Sequence, residues 1–364
     1  MPRKSYYNPK KILDMNADYN LIIGERSNGK TYAILKHCLS EYWKSGKKKQ
    51  FAYLRRWKED VIGKRALQVF SALISNGEIG KITNGEFNTV KYNAGKFTLA
   101  NWNDEKQKYE VSEKPFCFCF ALSEMEHDKS TSYPNVSNIV FDEFITRRFY
   151  LPDEFVLFMN VISTIVRDRK IDRIFMLGNT VNKYNPYFEN FGIKKDLEQG
   201  KIVEYEIAKV TRLVIEYCAS NEKSKVDSNR YFAFDNQKLQ MIKGGKWEID
   251  IYPHIPYDMS IQYNEILFTF FLIFDGNTLA GDIVSKPNGI FIYFHRKTTE
   301  IKDRERKLIF TLEYDINPLH RKDIMKPIDD IGKKIARLFA TEKVFYQSNE
   351  IGEIVRNYLI QSRS

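Results

Sequence analysis

The stretch Asn20-Leu21-Ile22-Ile23-Gly24-Glu25-Arg26-Ser27-Asn28-Gly29-Lys30-Thr31 constrains this chain more than any other. An apolar run that reads as a strand leads into G-x-x-x-x-G-K-T, and the helix-like Tyr32-Ala33-Ile34-Leu35-Lys36 follows. Strand, glycine-rich turn and helix N-terminus together form a P-loop pattern. Gly24 and Gly29 let the backbone curl so that the N–H groups between them, from Arg26 through Asn28, turn towards phosphate oxygens. The helix beginning near Lys30 adds the positive end of its dipole. Lys30 is expected to reach the β- and γ-phosphates, and Thr31 to hold Mg²⁺ through its hydroxyl. The expected ligand is a nucleoside triphosphate, with ATP and Mg²⁺ as the working pair.

A second signal lies more than a hundred residues on, in Asn138-Ile139-Val140-Phe141-Asp142-Glu143-Phe144. A buried strand ending in two carboxylates, at the C-terminal edge of a parallel sheet, brings both acids beside the phosphate loop. Asp142 is expected to orient the metal and Glu143 to polarise the attacking water. The run Arg173-Ile174-Phe175-Met176-Leu177-Gly178-Asn179 is a further strand with a polar end. Asn179 either bridges the γ-phosphate and the water or caps a turn, as Asn commonly does. Arg167-Asp168-Arg169-Lys170 closes an expected helix. Basic residues suit a helix C-terminus on dipole grounds alone, and an arginine finger given to a neighbouring subunit has the same appearance.

At 364 residues the chain is long enough for two domains. An apolar content of 43% with 14% aromatics supports folded cores over disorder. No run approaches the roughly 18 apolar residues of a membrane span, and Met1-Pro2-Arg3-Lys4-Ser5 leads into no signal core, so neither membrane nor secretion is expected. Cys38, Cys117, Cys119 and Cys218 show no C-x-x-C pairing, which argues against zinc or disulfides and suits a reducing compartment. The net charge of +10 on a nucleotide-binding chain points to a polyanionic partner, most often nucleic acid.

The first half alternates strands with helices, the α/β signature. Strands are expected over Leu21–Gly24, Phe51–Arg55, Lys96–Asn101, Phe116–Ser123, Asn138–Phe141 and Arg173–Leu177. Helices are expected over Thr31–Lys44, Lys58–Asn76 and Asp153–Val166, with a hairpin insertion over Asn84–Val111. Phe51–Arg55, falling between Lys30 and Asp142, suits the additional-strand, catalytic-glutamate division of P-loop proteins. Residues 219–257 turn polar and Gly/Pro-rich and read as a linker. Beyond them come strands at Ile266–Phe274, Gly289–His295 and Lys307–Tyr314, then helical pattern from Ile328 onward. The expected layout is therefore a P-loop NTPase domain over 1–218, a linker over 219–257, and a smaller α+β domain over 258–364.

In order along the first two hundred residues, Tyr6-Tyr7-Asn8-Pro9, Gly24–Thr31, Arg55-Arg56-Trp57-Lys58, Tyr133–Ile145, Arg167-Asp168-Arg169 and Asn185-Pro186-Tyr187-Phe188 resemble the DNA-packaging ATPases of small tailed phages of the phi-29 type. The resemblance implies a homo-oligomeric ring, typically a pentamer, at the portal vertex of an empty prohead in the host cytoplasm, absent from the mature virion. Its partners would be double-stranded DNA, the portal or connector protein and a packaging RNA. It implies that Arg167 acts as a finger in trans, that Lys129 acts at the subunit interface, and that Lys58 is tied to nucleotide exchange. Arg169 shares the interface stretch, and Tyr7 lies in a segment packed near the adenine. It also implies that the C-terminal domain is RNase H-like and vestigial. Ser27-Asn28 departs from the family by carrying less glycine in the loop, which Asn tolerates.

Large terminases share the ATPase plan with a working nuclease, which needs three or more carboxylates around two metals. Asp275, Asp282, Glu300, Asp303 and Glu305 are scattered, and Asp329-Asp330 opens a late helix where acids are favoured anyway. A vestigial domain is therefore expected, with an active nuclease as the alternative. A small-molecule kinase and a non-enzymatic scaffold using nucleotide as structural glue are the remaining readings.

Overall fold

The computed structural model describes residues 6–124, 132–146, 150–167, 169–180, 183, 185–193, 197–207, 211–219, 252–257 and 259–363. The chain divides into two compact units, Met1–Glu248 and Ile249–Ser364.

In the first unit the order is α1 (Lys10–Asp14), β1 (Tyr19–Gly24), α2 (Lys30–Lys44), β2 (Gln50–Arg55), α3 (Gly63–Gln68), α4 (Ser71–Ser75), α5 (Glu78–Ile82), β3 (Thr89–Asn93), β4 (Lys96–Asn103) and β5 (Lys108–Val111). Then come β6 (Cys117–Ala121), β7 (Val136–Asp142), α6 (Glu154–Val166), β8 (Arg173–Asn179), α7 (Pro186–Asn190), β9 (Ile202–Ile207) and β10 (Thr211–Tyr217). The strands form one mixed sheet in the order β3-β4-β6-β2-β7-β8-β1-β10-β9, with β5 paired to β4. From β6 to β10 neighbours run parallel, and antiparallel strands flank both ends.

Parallel strands covered on both faces carry continuous apolar runs, and Tyr19–Gly24 is buried throughout. Its side chains alternate between two cores. Ile22 joins Ile34, Leu35 and Leu39 of α2, while Leu21 and Ile23 join Phe158 and Val161 of α6 and Tyr187 of α7. This sandwich holds the C-terminal ends of β1, β7 and β8 at one sheet edge. The strand that physically separates β1 from β7 is β8. The sequence reading assigns that intervening role to Phe51–Arg55, which instead lies on the far side of β7.

The single helix expected over Lys58–Asn76 is a 3₁₀ turn at Lys58–Asp60 followed by α3 and α4. Gly63 takes a left-handed φ of 56° and Phe70 leaves helical geometry. Burial of Val61, Ala66, Phe70 and Leu73 against the sheet accompanies this breaking of the helical run.

The second unit contains β11 (Ile266–Phe274), β12 (Asn277–Lys286), β13 (Gly289–Arg296), β14 (Ile309–Thr311), β15 (His320–Arg321), α8 (Asp330–Ala340), β16 (Val344–Tyr346) and α9 (Asn349–Gln361). Its sheet order is β15-β14-β11-β12-β13-β16. The first three strands form an antiparallel meander, and β14 runs parallel to β11. Gly281 matters here, because a Cβ would sit 2.5 Å from the Phe270 ring on the neighbouring strand. Strand β16 interrupts the helical pattern expected from Ile328 onward. Residues 252–254, at the end of the stretch expected as a linker, bond to this unit: the Tyr346 N–H donates to Pro253 O, and Tyr252 donates to Glu353.

Candidate nucleotide site

The turn after β1 has the backbone the sequence requires. Ser27 and Gly29 adopt left-handed φ values of 60° and 91°, and α2 begins at Lys30. A Cβ at residue 29 would meet the Tyr6 ring at 3.2 Å, so the N-terminal segment lies directly on the loop. The Tyr7 N–H donates to Asn28 O at 2.9 Å, and its hydroxyl donates to Glu216 at 2.6 Å. Tyr7 thus straps the loop to β10. Asn28 turns its amide oxygen onto the Lys30 N–H at 3.1 Å.

Arg26, Asn28, Gly29, Lys30, Thr31, Asp142, Glu143 and Asn179 all line one cavity of about 420 Å³. Lys30 is buried, and its Nζ donates to Gly24 O at 3.1 Å and Glu25 O at 2.7 Å, with Asn179 Oδ1 at 3.5 Å. Burial lowers its pKa to about 8, against the pull of nearby acids. Thr31 Oγ1 donates to Asp142 Oδ1 at 3.1 Å, and the buried Tyr53 hydroxyl donates to Asp142 Oδ2 at 2.9 Å. Desolvation raises the Asp142 pKa, with Arg55 opposing the shift.

Glu143 follows immediately, with a left-handed φ of 59°. Its side chain is 55% exposed and is held by Arg55, whose Nη2 lies 2.7 Å from Glu143 Oε2. The same guanidinium is 3.6 Å from Asp142 and 3.4 Å from Asp60. Asn179 ends β8 level with Gly24, in register across the β1–β8 pair.

The remaining expected residues lie elsewhere. Arg167 is exposed at the C-cap of α6, with a φ of 47°, and does not line the cavity. Arg169 is turned inward and donates to the carbonyls of Tyr133, Pro134, Val136 and Ile165. Lys58 is exposed, 2.8 Å from Glu124. Lys129 lies outside the described residues. Sequence reasoning missed three contributors, namely Tyr53, Glu154 and the side-chain contacts of Arg55. Each meets its partner only through the sheet, so spacing carries no sign of it.

Strand, loop and helix, facing a strand that ends in two acids, define a mixed α/β chain built around a P-loop. The family model of the podovirus DNA encapsidation protein (Gp16) matches residues 1–230, and the chain belongs to that family. It is 32% identical over 202 residues to the DNA packaging protein of Bacillus phage phi29, covering 55% of this chain and 54% of that protein. Identity to the corresponding protein of Bacillus phage B103 is 32% over 191 residues, or 52% of each. The chain thus spans about half the length of the curated relatives it matches. Along 99% of its length it shares a fold with chains of the Phi-28 gp11 DNA packaging motor (TM-score 0.53, 19% identity, 99% of that chain). The same holds for the bacteriophage Phi-29 viral genome packaging motor assembly (TM-score 0.57, 23% identity, 100% of that chain).

Proposed function

We propose that this protein is an ATP-hydrolysing ring motor that drives double-stranded viral DNA into a prohead. The observation that carries the reading is the convergence of Lys30, Thr31, Asp142 and Glu143 on one cavity, with Thr31 Oγ1 and Asp142 Oδ1 3.1 Å apart. The domain is of the additional-strand, catalytic-glutamate type of P-loop NTPase. The position of β8 between β1 and β7 supports this.

Triphosphate oxygens entering the loop would take Lys30 Nζ from the Gly24 and Glu25 carbonyls. The N–H groups from Arg26 to Thr31 would cradle them. The Thr31 hydroxyl and Asp142 carboxylate are hard oxygen donors of the kind Mg²⁺ prefers when phosphates complete its shell. Tyr53 keeps Asp142 oriented for that role. When bound, the ion would offset phosphate charge and so favour transfer to water. Glu143, once released from Arg55, would take a proton from that water. Asn179 would hold the water or the terminal phosphate from the neighbouring strand. Tyr7 would form one wall near the base, and Arg167 and Lys129 would act from an adjacent subunit. Lys58 would serve nucleotide exchange. The four carbonyl bonds of Arg169 favour a supporting role for it at that interface.

In this reading residues 1–218 form the motor domain, 219–257 a linker, and 258–364 a docking domain of RNase H-like descent. The antiparallel meander flanked by the parallel β14 supports that descent. A working nuclease is not favoured. Among the described residues no three His, Cys, Asp or Glu gather where they could hold a metal, and Asp282 is engaged by Thr269 and His295. The ring is proposed as a pentamer at the portal vertex in the host cytoplasm, meeting the connector and a packaging RNA, and absent from the finished virion. Among the described residues no helix is long and apolar enough to cross a membrane.

The test is ATP turnover with and without double-stranded DNA, in the wild type and in Glu143→Gln. Turnover should rise with DNA and fall by about 10²–10⁴-fold in the variant, as for loss of a general base. Turnover indifferent to Glu143 would sink the assignment.

A further inference from the structure

Glu143 is a non-glycine residue in left-handed backbone, directly after a buried strand. That conformation persists only where the surroundings impose it. Arg56 engages two successive carbonyls of that turn. Its Nη1 donates to the Glu143 carbonyl at 3.2 Å and its Nη2 to the Phe144 carbonyl at 2.7 Å. The opposite edge of the same guanidinium grips Glu154 through Nε at 2.7 Å and Nη2 at 2.8 Å. Glu154 is itself fixed by the Tyr187 hydroxyl at 2.6 Å and the Leu151 N–H at 2.8 Å. Arg56 is 5% and Glu154 1% exposed.

We propose that Arg56 and Glu154 form a buried clamp that positions the Glu143 carboxylate for hydrolysis, with Arg56 as a positioning residue. The inference rests on the functional reading above. Successive side chains at a strand end point to opposite sides. Arg55, the last residue of β2, therefore takes the carboxylate of Glu143 while Arg56, just beyond the strand, takes its carbonyl, so these two neighbours hold that one residue at both ends. A buried ion pair is poor evidence of net stability, since apolar residues of similar volume commonly serve as well. What the pair supplies here is direction: two adjacent carbonyls are fixed by one planar group with a fixed fork geometry. Phe144, released from the clamp, would still be packed against Gly178, where a Cβ would lie 2.9 Å from its ring. The turn would then loosen at Glu143 while the core stays filled. Glu154 also opens α6, the helix capped at its far end by Arg167, so the clamp ties the water-activating turn to that helix.

The experiment compares the paired replacement Arg56→Met/Glu154→Leu with Glu154→Gln, each with and without Glu143→Gln. Thermal unfolding, affinity for a fluorescent ATP analogue, and single-turnover hydrolysis are measured for each. Analogue affinity should stay within about twofold, because the phosphate loop is untouched. Hydrolysis should fall about 10–10²-fold, the scale of a misplacement near 1 Å. In the Glu143→Gln background the same replacements should change the residual rate less than about twofold, since the group they position is gone. Equal losses in both backgrounds, or unchanged hydrolysis in either folded variant, would overturn the clamp. Should the paired replacement fail to fold, Glu154→Gln decides alone, because it keeps the shape while removing the charge and turning one accepting oxygen of the clamp into a donor NH₂. Full turnover in Glu143→Gln by itself would instead remove the functional reading beneath it.

Discussion

Replacing Arg55 by Ala releases the Glu143 carboxylate from the 2.7 Å hydrogen bond donated by Arg55 Nη2. The pair is half-exposed on the Glu143 side and 16% exposed on the Arg55 side. It therefore belongs near the upper end for surface ion pairs, about 1 kcal/mol. Since 1.4 kcal/mol is a factor of ten, that energy holds the carboxylate on Arg55 roughly five times as often as off it. If the bond restrains Glu143 from the water, the free fraction is about one sixth, so Arg55→Ala raises DNA-free turnover by no more than about sixfold and flattens the stimulation by DNA to the same extent. The same guanidinium lies 3.6 Å from Asp142, whose pKa burial already raises. Its loss changes the charge beside that expected metal-holding carboxylate, so the assay is single-turnover ATP hydrolysis at saturating Mg²⁺ without DNA, where metal occupancy does not limit the rate. A fall of tenfold or more would refute the reasoning, and would make Arg55 a partner of the reacting phosphate rather than a restraint.

Two further outcomes follow from packing and charge. Phe70→Ala opens a void among Phe51, Phe97 and Phe116, all fully buried, and should destabilise the first unit by about 3–5 kcal/mol in denaturant unfolding; a loss under about 1 kcal/mol would mean the cluster repacks. In the second unit, the hydrogen bond that His295 Nε2 donates to Asp282 Oδ2 raises the His295 pKa above 6.5, against partial burial. The stability this pair gives is fully present below pH 6.5 and is lost as pH rises through the elevated value. His295→Gln should therefore remove a decline in stability on the alkaline side of pH 6.5, and parallel wild-type and variant curves would contradict the pairing.

What is legible in the sequence is local. Gly24 to Thr31 carry their own geometry, and Asp142-Glu143 closes an unbroken apolar strand, so the residues alone place both at the C-terminal edge of a sheet. Strand β9 escapes a reading by apolar runs because residues 202–207 alternate polar with apolar, as a half-covered edge strand must, whereas β10 carries the short run Leu213-Val214-Ile215, which is open to such a reading. Strand β12 is hidden by Gly281 and Asp282, which weaken a strand reading although one fits against Phe270 and the other bonds to Thr269. The identity of the strand between β1 and β7 is a property of sheet order, which chain order does not encode. The same holds for the supports of the acid pair. Tyr53 reaches Asp142 and Arg56 reaches Glu154 across 89 and 98 residues, and only the sheet brings them together.

The most direct measurement is DNA encapsidation with purified protein, proheads, ATP and Mg²⁺, read as DNA protected from added nuclease. The account predicts protection that requires ATP, is abolished by Glu143→Gln and weakens as salt rises, as phosphate-backbone contacts demand. Active ATP turnover with no protected DNA under any of these conditions would contradict it, and would leave a nucleotide hydrolase uncoupled from DNA movement.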